Sequence, residues 1–184
     1  YIGRVFQDPM MGTASEMSIE ENLSMAKRRG QRRSLAPGLR GSERENYVHI
    51  LKQLGLGLES RLKDKVGLLS CGQRQALTLL MATIKKPDLL LLDEHTAALD
   101  PTTATKVLQL TYELVGEHKL STLMVTHNMK DALTYVNRLI MLDRGRIIAD
   151  IPGEVKATLQ VSDLLDLFRQ VSGGDVTSDR MLLI

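Results

Sequence analysis

Four leucines run straight into two acids at Leu89-Leu90-Leu91-Leu92-Asp93-Glu94. Such a run reads as a buried parallel strand, which delivers its last side chains to the C-terminal edge of the sheet, where open α/β sheets hold their ligands. There the first carboxylate can hold Mg²⁺, usually through water, and the second can orient or deprotonate an attacking water. The same acids also suit an ordinary strand leaving the core for solvent, and the run alone leaves both readings open.

A second signal is Leu69-Ser70-Cys71-Gly72-Gln73-Arg74-Gln75, followed by the apolar face Ala76, Leu77, Leu80, Met81 and Ile84. Ser70 is placed to cap a helix whose Gln73 reaches back to it. The free N–H groups and dipole of that terminus favour an anion, and Gly72 lets backbone come close to one. A capping box and nothing more would satisfy the same pattern. Val125-Thr126-His127 closes a later apolar strand with a side chain able to touch a phosphate, or with a structural histidine. Gln7 follows the run Arg4-Val5-Phe6. By itself it is equally well explained by a turn at Asp8-Pro9.

The elements that would position these groups are legible from caps and periodicity. Ser18 with Glu21 and Ser42 with Glu45 repeat the capping pattern of Ser70, predicting helices over 18–29 and 42–54, the second stopped by Gly55. Together with the Ser70 helix they form a helical block. The rhythm then changes to short aliphatic runs alternating with helices: a strand at 88–92, a helix at 101–118 with Asp100 as cap and Pro101 at its first position, a strand at 121–126 and a helix at 128–136. That alternation is the mark of a parallel sheet. Arg138–Leu142 and Arg146–Asp150 flank an Asp-Arg-Gly turn and predict a closing hairpin, followed by a helix over 162–170.

The composition agrees with a soluble α/β domain. The chain has 184 residues, 43% apolar and 25% charged, and with 3% aromatics and no Trp its core must be aliphatic. One cysteine excludes an internal disulfide framework and a cysteine-cluster zinc site. The strand-like apolar runs fall far short of the ~20 residues needed to cross a bilayer. The net charge of +2 is uneven: Lys27, Arg28, Arg29, Arg32, Arg33, Arg40 and Arg44 crowd one stretch against a single acid, Glu43. This cluster could face phosphates or an acidic partner, or form a solvated loop between two helices, and no interleaved aromatics suggest base stacking.

In order, Gln7, Ser70 to Gln73, Asp93-Glu94, Leu99-Asp100 and His127 resemble the motifs of the nucleotide-binding domain of ABC ATPases over residues 1 to about 150. The resemblance implies a P-loop NTPase-like parallel sheet core with an inserted helical subdomain. Residues from about 8 to 86 would form that subdomain, 87–150 the remaining core motifs, and 151–184 a C-terminal tail with one helix. It further implies that Gln7 touches Mg²⁺ and senses a membrane partner, and that Ser70, Gly72 and Gln73 belong to the signature motif. Asp93 is then the Walker B acid on Mg²⁺, Glu94 the general base, Asp100 the D-loop acid and His127 the switch histidine on the γ-phosphate of ATP.

The expected protein is an ATP-hydrolysing subunit of an ABC transporter, resembling bacterial importers of small organic solutes. It would pair head to tail with a second ATPase protomer and dock on separate transmembrane permease subunits, which a solute-binding protein would serve. Its place would be peripheral, on the cytoplasmic face of the membrane, with no nucleic acid as partner. Chromosome-organising relatives insert long coiled coils between Gln7 and the signature, and no sustained heptads occur here. The same motifs would also suit one half of a tandem translation-factor ATPase, or a regulatory subunit that does not hydrolyse ATP.

Two departures stand out. Cys71 occupies the first glycine position of the family's Leu-Ser-Gly-Gly-Gln, putting a Cβ where backbone approaches phosphate. The phosphate loop G-x-x-x-x-G-K-[ST] is not found: Gly67 and Gly72 have its spacing but are followed by Gln73-Arg74. The chain opens at Tyr1 in mid-pattern and reads as a fragment, expected by itself neither to bind ATP tightly nor to hydrolyse it.

Overall fold

The computed structural model describes residues 1–32, 38–39 and 41–172. Arg33, Arg40 and the Gly173-Gly174 stretch lie outside them. Two compact units divide the chain, 1–123 and 124–184.

In the first unit, strand β1 (Ile2–Val5) leads through a long connection to helices α1 (Ile19–Lys27), α2 (Gly41–Gln53) and α3 (Cys71–Thr83). Strand β2 (Leu89–Asp93), helix α4 (Pro101–His118) and strand β3 (Thr122–Val125) follow, and the sheet order is β1-β2-β3. β1 and β2 are parallel with Ile2 opposite Leu89 and Val5 opposite Leu92. Gly3, Val5, Leu90 and Leu92 line the buried face, while Ile2 and Arg4 remain exposed on the other. Gly3 is required by close packing, since a Cβ there would lie 2.8 Å from the carbonyl oxygen of Ala82 in α3.

The helical block has its own aliphatic core. Ile19, Leu23 and Ala26 of α1 meet Tyr47 and Leu51 of α2 and Ala76, Leu77, Leu80 and Met81 of α3. Both halves of the capping boxes at Ser18 and Ser70 are formed, and Asp100 caps α4 above Pro101. The expected cap at Ser42 is corrected: α2 already starts at Gly41, so Ser42 is inside the helix. The neighbouring residues give the reason. Glu43 takes Lys27 and Arg28 as partners, and Arg44 makes a two-pronged pair with buried Glu20 at 2.8 and 2.9 Å, so the first turn of α2 is tied to α1 by charge. Three of the seven basic residues of the cluster, Lys27, Arg28 and Arg44, are thereby paired with acids of α1 and α2. Arg29 lies over the ring of Tyr1.

The second unit holds helix α5 (Met129–Tyr135), strands β4 (Arg138–Asp143) and β5 (Arg146–Pro152), and helices α6 (Gly153–Lys156) and α7 (Val161–Ser172). β4 and β5 form the expected antiparallel hairpin. Arg144 and Gly145 both take positive φ, 46° and 77°, as a tight two-residue hairpin turn demands. Among the described residues no helix is long and apolar enough to cross a membrane.

Two glycine-to-alanine substitutions should have opposite signs. Gly3→Ala must push α3 off the sheet and lower unfolding free energy by about 1–3 kcal/mol. Gly116→Ala, inside α4 with nothing within 4 Å of the added methyl, should raise it by roughly 0.5–1 kcal/mol. Urea denaturation of the two variants measures both.

Candidate functional site

At the C-terminal edge of β2, Asp93 is about half exposed and its Oδ2 accepts a hydrogen bond from Nη2 of Arg4 at 2.8 Å. The parallel register explains the pair. Arg4 lies opposite Leu91, so its side chain stands on the face that carries Leu91 and Asp93. The Arg4 guanidinium also sits 4.5 Å from the centroid of the Phe6 ring. An exposed pair of this kind contributes at most about 1 kcal/mol, so it orients the Asp93 side chain while remaining easy to displace.

Glu94 follows in the left-handed region, φ 42°, unusual for a residue with a side chain. Its carbonyl accepts from Ala97 N at 3.0 Å, Thr96 O accepts from Leu99 N at 3.1 Å, and Asp100 Oδ1 accepts from Thr103 N at 3.0 Å. Two tight turns therefore carry the chain from β2 into α4. The hydrogen bonds from Thr103 hold the carboxyl of Asp100 below the usual carboxylate range.

The segment from Ser70 to Gln73 packs against this connection. Ser70 Oγ accepts from Gln73 N, Gln73 Oε1 accepts from Ser70 N, both at 3.2 Å, and Gln73 Nε2 donates to Leu56 O. Gly72 is buried, and a Cβ there would fall 2.1 Å from Cγ2 of Thr103, so the N-terminal turns of α3 and α4 touch only because residue 72 is glycine. Cys71 is exposed, with Sγ 4.0 Å from the carbonyl oxygen of Ala98. The side chain added by the cysteine thus points outward from the helix mouth, and within the chain the steric demand falls on its neighbour.

Gln7 is exposed just past β1, and the turn expected at Asp8 is formed, with Asp8 Oδ1 accepting from Met10 N at 2.8 Å. The segment is fixed from behind. Gln75, buried in α3, donates from Nε2 to Phe6 O at 3.1 Å, and buried Asn22 exchanges hydrogen bonds with the backbone of Ala14. The first unit thus gathers Ser70, Gly72, Gln73 and Asp100 where α3 meets α4, with Asp93 and Glu94 at the head of the same connection. His127 belongs to the second unit, exposed between β3 and the Asn128 cap of α5.

Four positioning residues escaped the sequence reading: Arg4, Asn22, Gln75 and His95. Only Gln75 left a trace, as a polar residue beside an apolar helix face. His95 is 2% exposed, and its Nε2 lies 3.2 Å from Oγ1 of buried Thr111. Thr111 gives its own proton to Val107 O at 2.7 Å, so the imidazole donates and carries hydrogen on Nε2.

Burial lowers the pKa of His95 from 6.5 to about 4. The unfolded chain therefore binds the extra proton first as pH falls, and stability should decline from about pH 6.5 toward 4 by an amount on the order of 3 kcal/mol. His95→Leu should flatten that slope in a pH series of denaturation curves. A slope equal to that of the unsubstituted chain would place the titrating group elsewhere.

Residues 1–97 match the ABC transporter family. Over 167 residues the chain is 46% identical to a tyrosine transport ATP-binding protein of Clostridioides difficile (strain R20291), spanning 91% of this chain and 66% of that protein. Over 140 residues it is 35% identical to a thiamine import ATP-binding protein of Yersinia pestis, covering 75% of this chain and 55% of that protein. Its fold matches an ATP-binding cassette solved as a dimer in a post-hydrolysis state with ADP and Pi, with a TM-score of 0.66 at 28% identity, covering 83% of this chain and 62% of that one. The chain spans about half to two thirds of the length of these proteins. Sequence over more than half its length and fold over most of it agree: the chain belongs to the ABC transporter family.

Proposed function

We propose that this chain is part of the ATP-hydrolysing subunit of an ABC importer for small organic solutes, amino acids being the favoured class. The observation that carries the reading is the junction of α3 and α4, where a capped helix N-terminus meets the connection that starts with Asp93 and Glu94 at the sheet edge. The tyrosine transport name of the relative at 46% identity supports the solute class.

The residues suit a magnesium nucleotide. Asp93 and Gln7 offer hard oxygen donors at the ends of neighbouring parallel strands, few enough for a cation that keeps much of its water. Asp93 already accommodates a positive group, the guanidinium of Arg4. When bound, Mg²⁺ would neutralise charge developing on the transferred phosphoryl group. Glu94 then orients the attacking water and takes its proton. His127 is the side chain that senses the terminal phosphate. Ser70 and Gln73 close the capping box that shapes the N-terminus of α3, Gly72 lets that terminus approach the phosphates held by a second protomer, an anion site made by the helix end, and Asp100 stiffens the connection between the two protomers' sites.

In this reading the subunit works as a head-to-tail dimer, peripheral to the membrane on its cytoplasmic side, beneath permease subunits fed by a solute-binding protein. The exposed segment around Gln7 and the helical block reports nucleotide state to the permease. The tandem translation-factor and non-hydrolysing readings have no such support among the transport proteins the chain resembles.

The reading is tested in the intact cassette. Glu94→Gln should cut ATP turnover by at least about 100-fold while ATP binding persists and a closed dimer accumulates, measured by phosphate release and size-exclusion chromatography. Retained turnover removes the general-base role. His127→Ala should slow turnover about as severely with binding affinity nearly unchanged, and an unaffected rate would make the histidine structural.

A further inference from the structure

Alternation along β2 puts Leu90 and Leu92 on the buried face, at 0% and 1% exposure, with Asp93 on the other. Continued as strand, residue 94 would be the next to point into the buried layer, and a carboxylate there would be costly to desolvate. The left-handed φ of Glu94 breaks the alternation. The carboxylate stays partly exposed, and the next side chain, the imidazole of His95, takes the buried place against α4. A non-glycine residue in that backbone region is strained and persists only where its surroundings hold it.

We propose that His95 is the positioning residue of the nucleotide site: its burial and its hydrogen bond to Thr111 hold Glu94 in the left-handed conformation that presents the carboxylate at the sheet edge. The chemistry at both ends fits the task. Thr111 donates its proton to Val107 O, so toward His95 its oxygen can act only as an acceptor. A neutral imidazole supplies the donor and fills the layer. The anchor lies midway along α4, while Asp100 fixes the start of the same helix, so the connection is held at two points and Glu94 is not free to relax. The proposal rests on the general-base reading of Glu94 for its effect on rate, though not for its effect on backbone shape.

The test uses His95→Ala, Thr111→Val and His95→Gln in the intact cassette, with kcat, KM for ATP, thermal stability and crystal structures of each. Alanine and Thr111→Val should lower kcat about 10-fold or more with KM within about two-fold, since a misplaced catalytic group costs rate rather than binding. In both, φ of Glu94 should return to negative values. Glutamine, whose Nε2 can replace the donor, should restore kcat to within about three-fold and the positive φ. Thr111→Val, nearly isosteric, keeps the test alive should the alanine variant fold poorly. The proposal is overturned if Glu94 keeps its positive φ in both disrupting variants, or if kcat stays within two-fold in both. Should Glu94→Gln turn over normally, the general-base reading falls by itself, and the φ of Glu94 in the variants still decides the anchor.

Discussion

The burial of α3 is the constraint on which the rest depends. From Gln75 to Thr83 every residue of this helix is buried, because it is wedged between the aliphatic faces of α1 and α2, the backbone of β1 and the start of α4. A helix enclosed in this way cannot shift without carrying its neighbours, since close-packed interiors transmit displacement rather than absorb it. Two glycines mark where the enclosure is tightest. Gly3 admits the carbonyl of Ala82, and Gly72 admits the methyl of Thr103. Through the first, α3 fixes the strand that leads to Gln7, and through the second it fixes the connection that bears Asp93, Glu94 and Asp100.

Charge plays a different part in the two halves of the first unit. Between α1 and α2, Glu20 and Glu43 are largely buried and each is matched by basic partners, where breaking one side strands the other and costs far more than a surface pair. At the sheet edge, the Arg4–Asp93 pair is open to solvent. The same kind of contact is architectural in one place and replaceable in the other.

Much of this was legible in the sequence because local chemistry wrote it there. Ser18, Ser70, Asp100 and Asn128 sit at helix starts as their side chains require, and the leucine run from 89 ends at the sheet edge. The helix over 101–118 was expected and observed with the same bounds. What was not legible depends on partners remote along the chain. Ser42 looked like a cap because of Glu45, yet the pairing of Arg44 with Glu20 draws the helix start back to Gly41. Arg4 meets Asp93 only through strand register. His95, after two acids and before a turn, reads as a loop residue until α4 is laid across it. In the basic cluster, Lys27, Arg28 and Arg44 meet acids of the helices the cluster joins, partners that composition alone does not name.

Helix α3 also carries the sole sulfhydryl of these 184 residues. Cys71 is exposed at the first position of α3, one peptide bond from the glycine that seats that helix on α4. A maleimide dye or nitroxide reacted with the unmodified chain would therefore land at a single, structurally defined place, with no background labelling to engineer away. The residue that departs from the family's pattern is, to a spectroscopist, a reporter already installed at the mouth of the helix whose neighbourhood matters most.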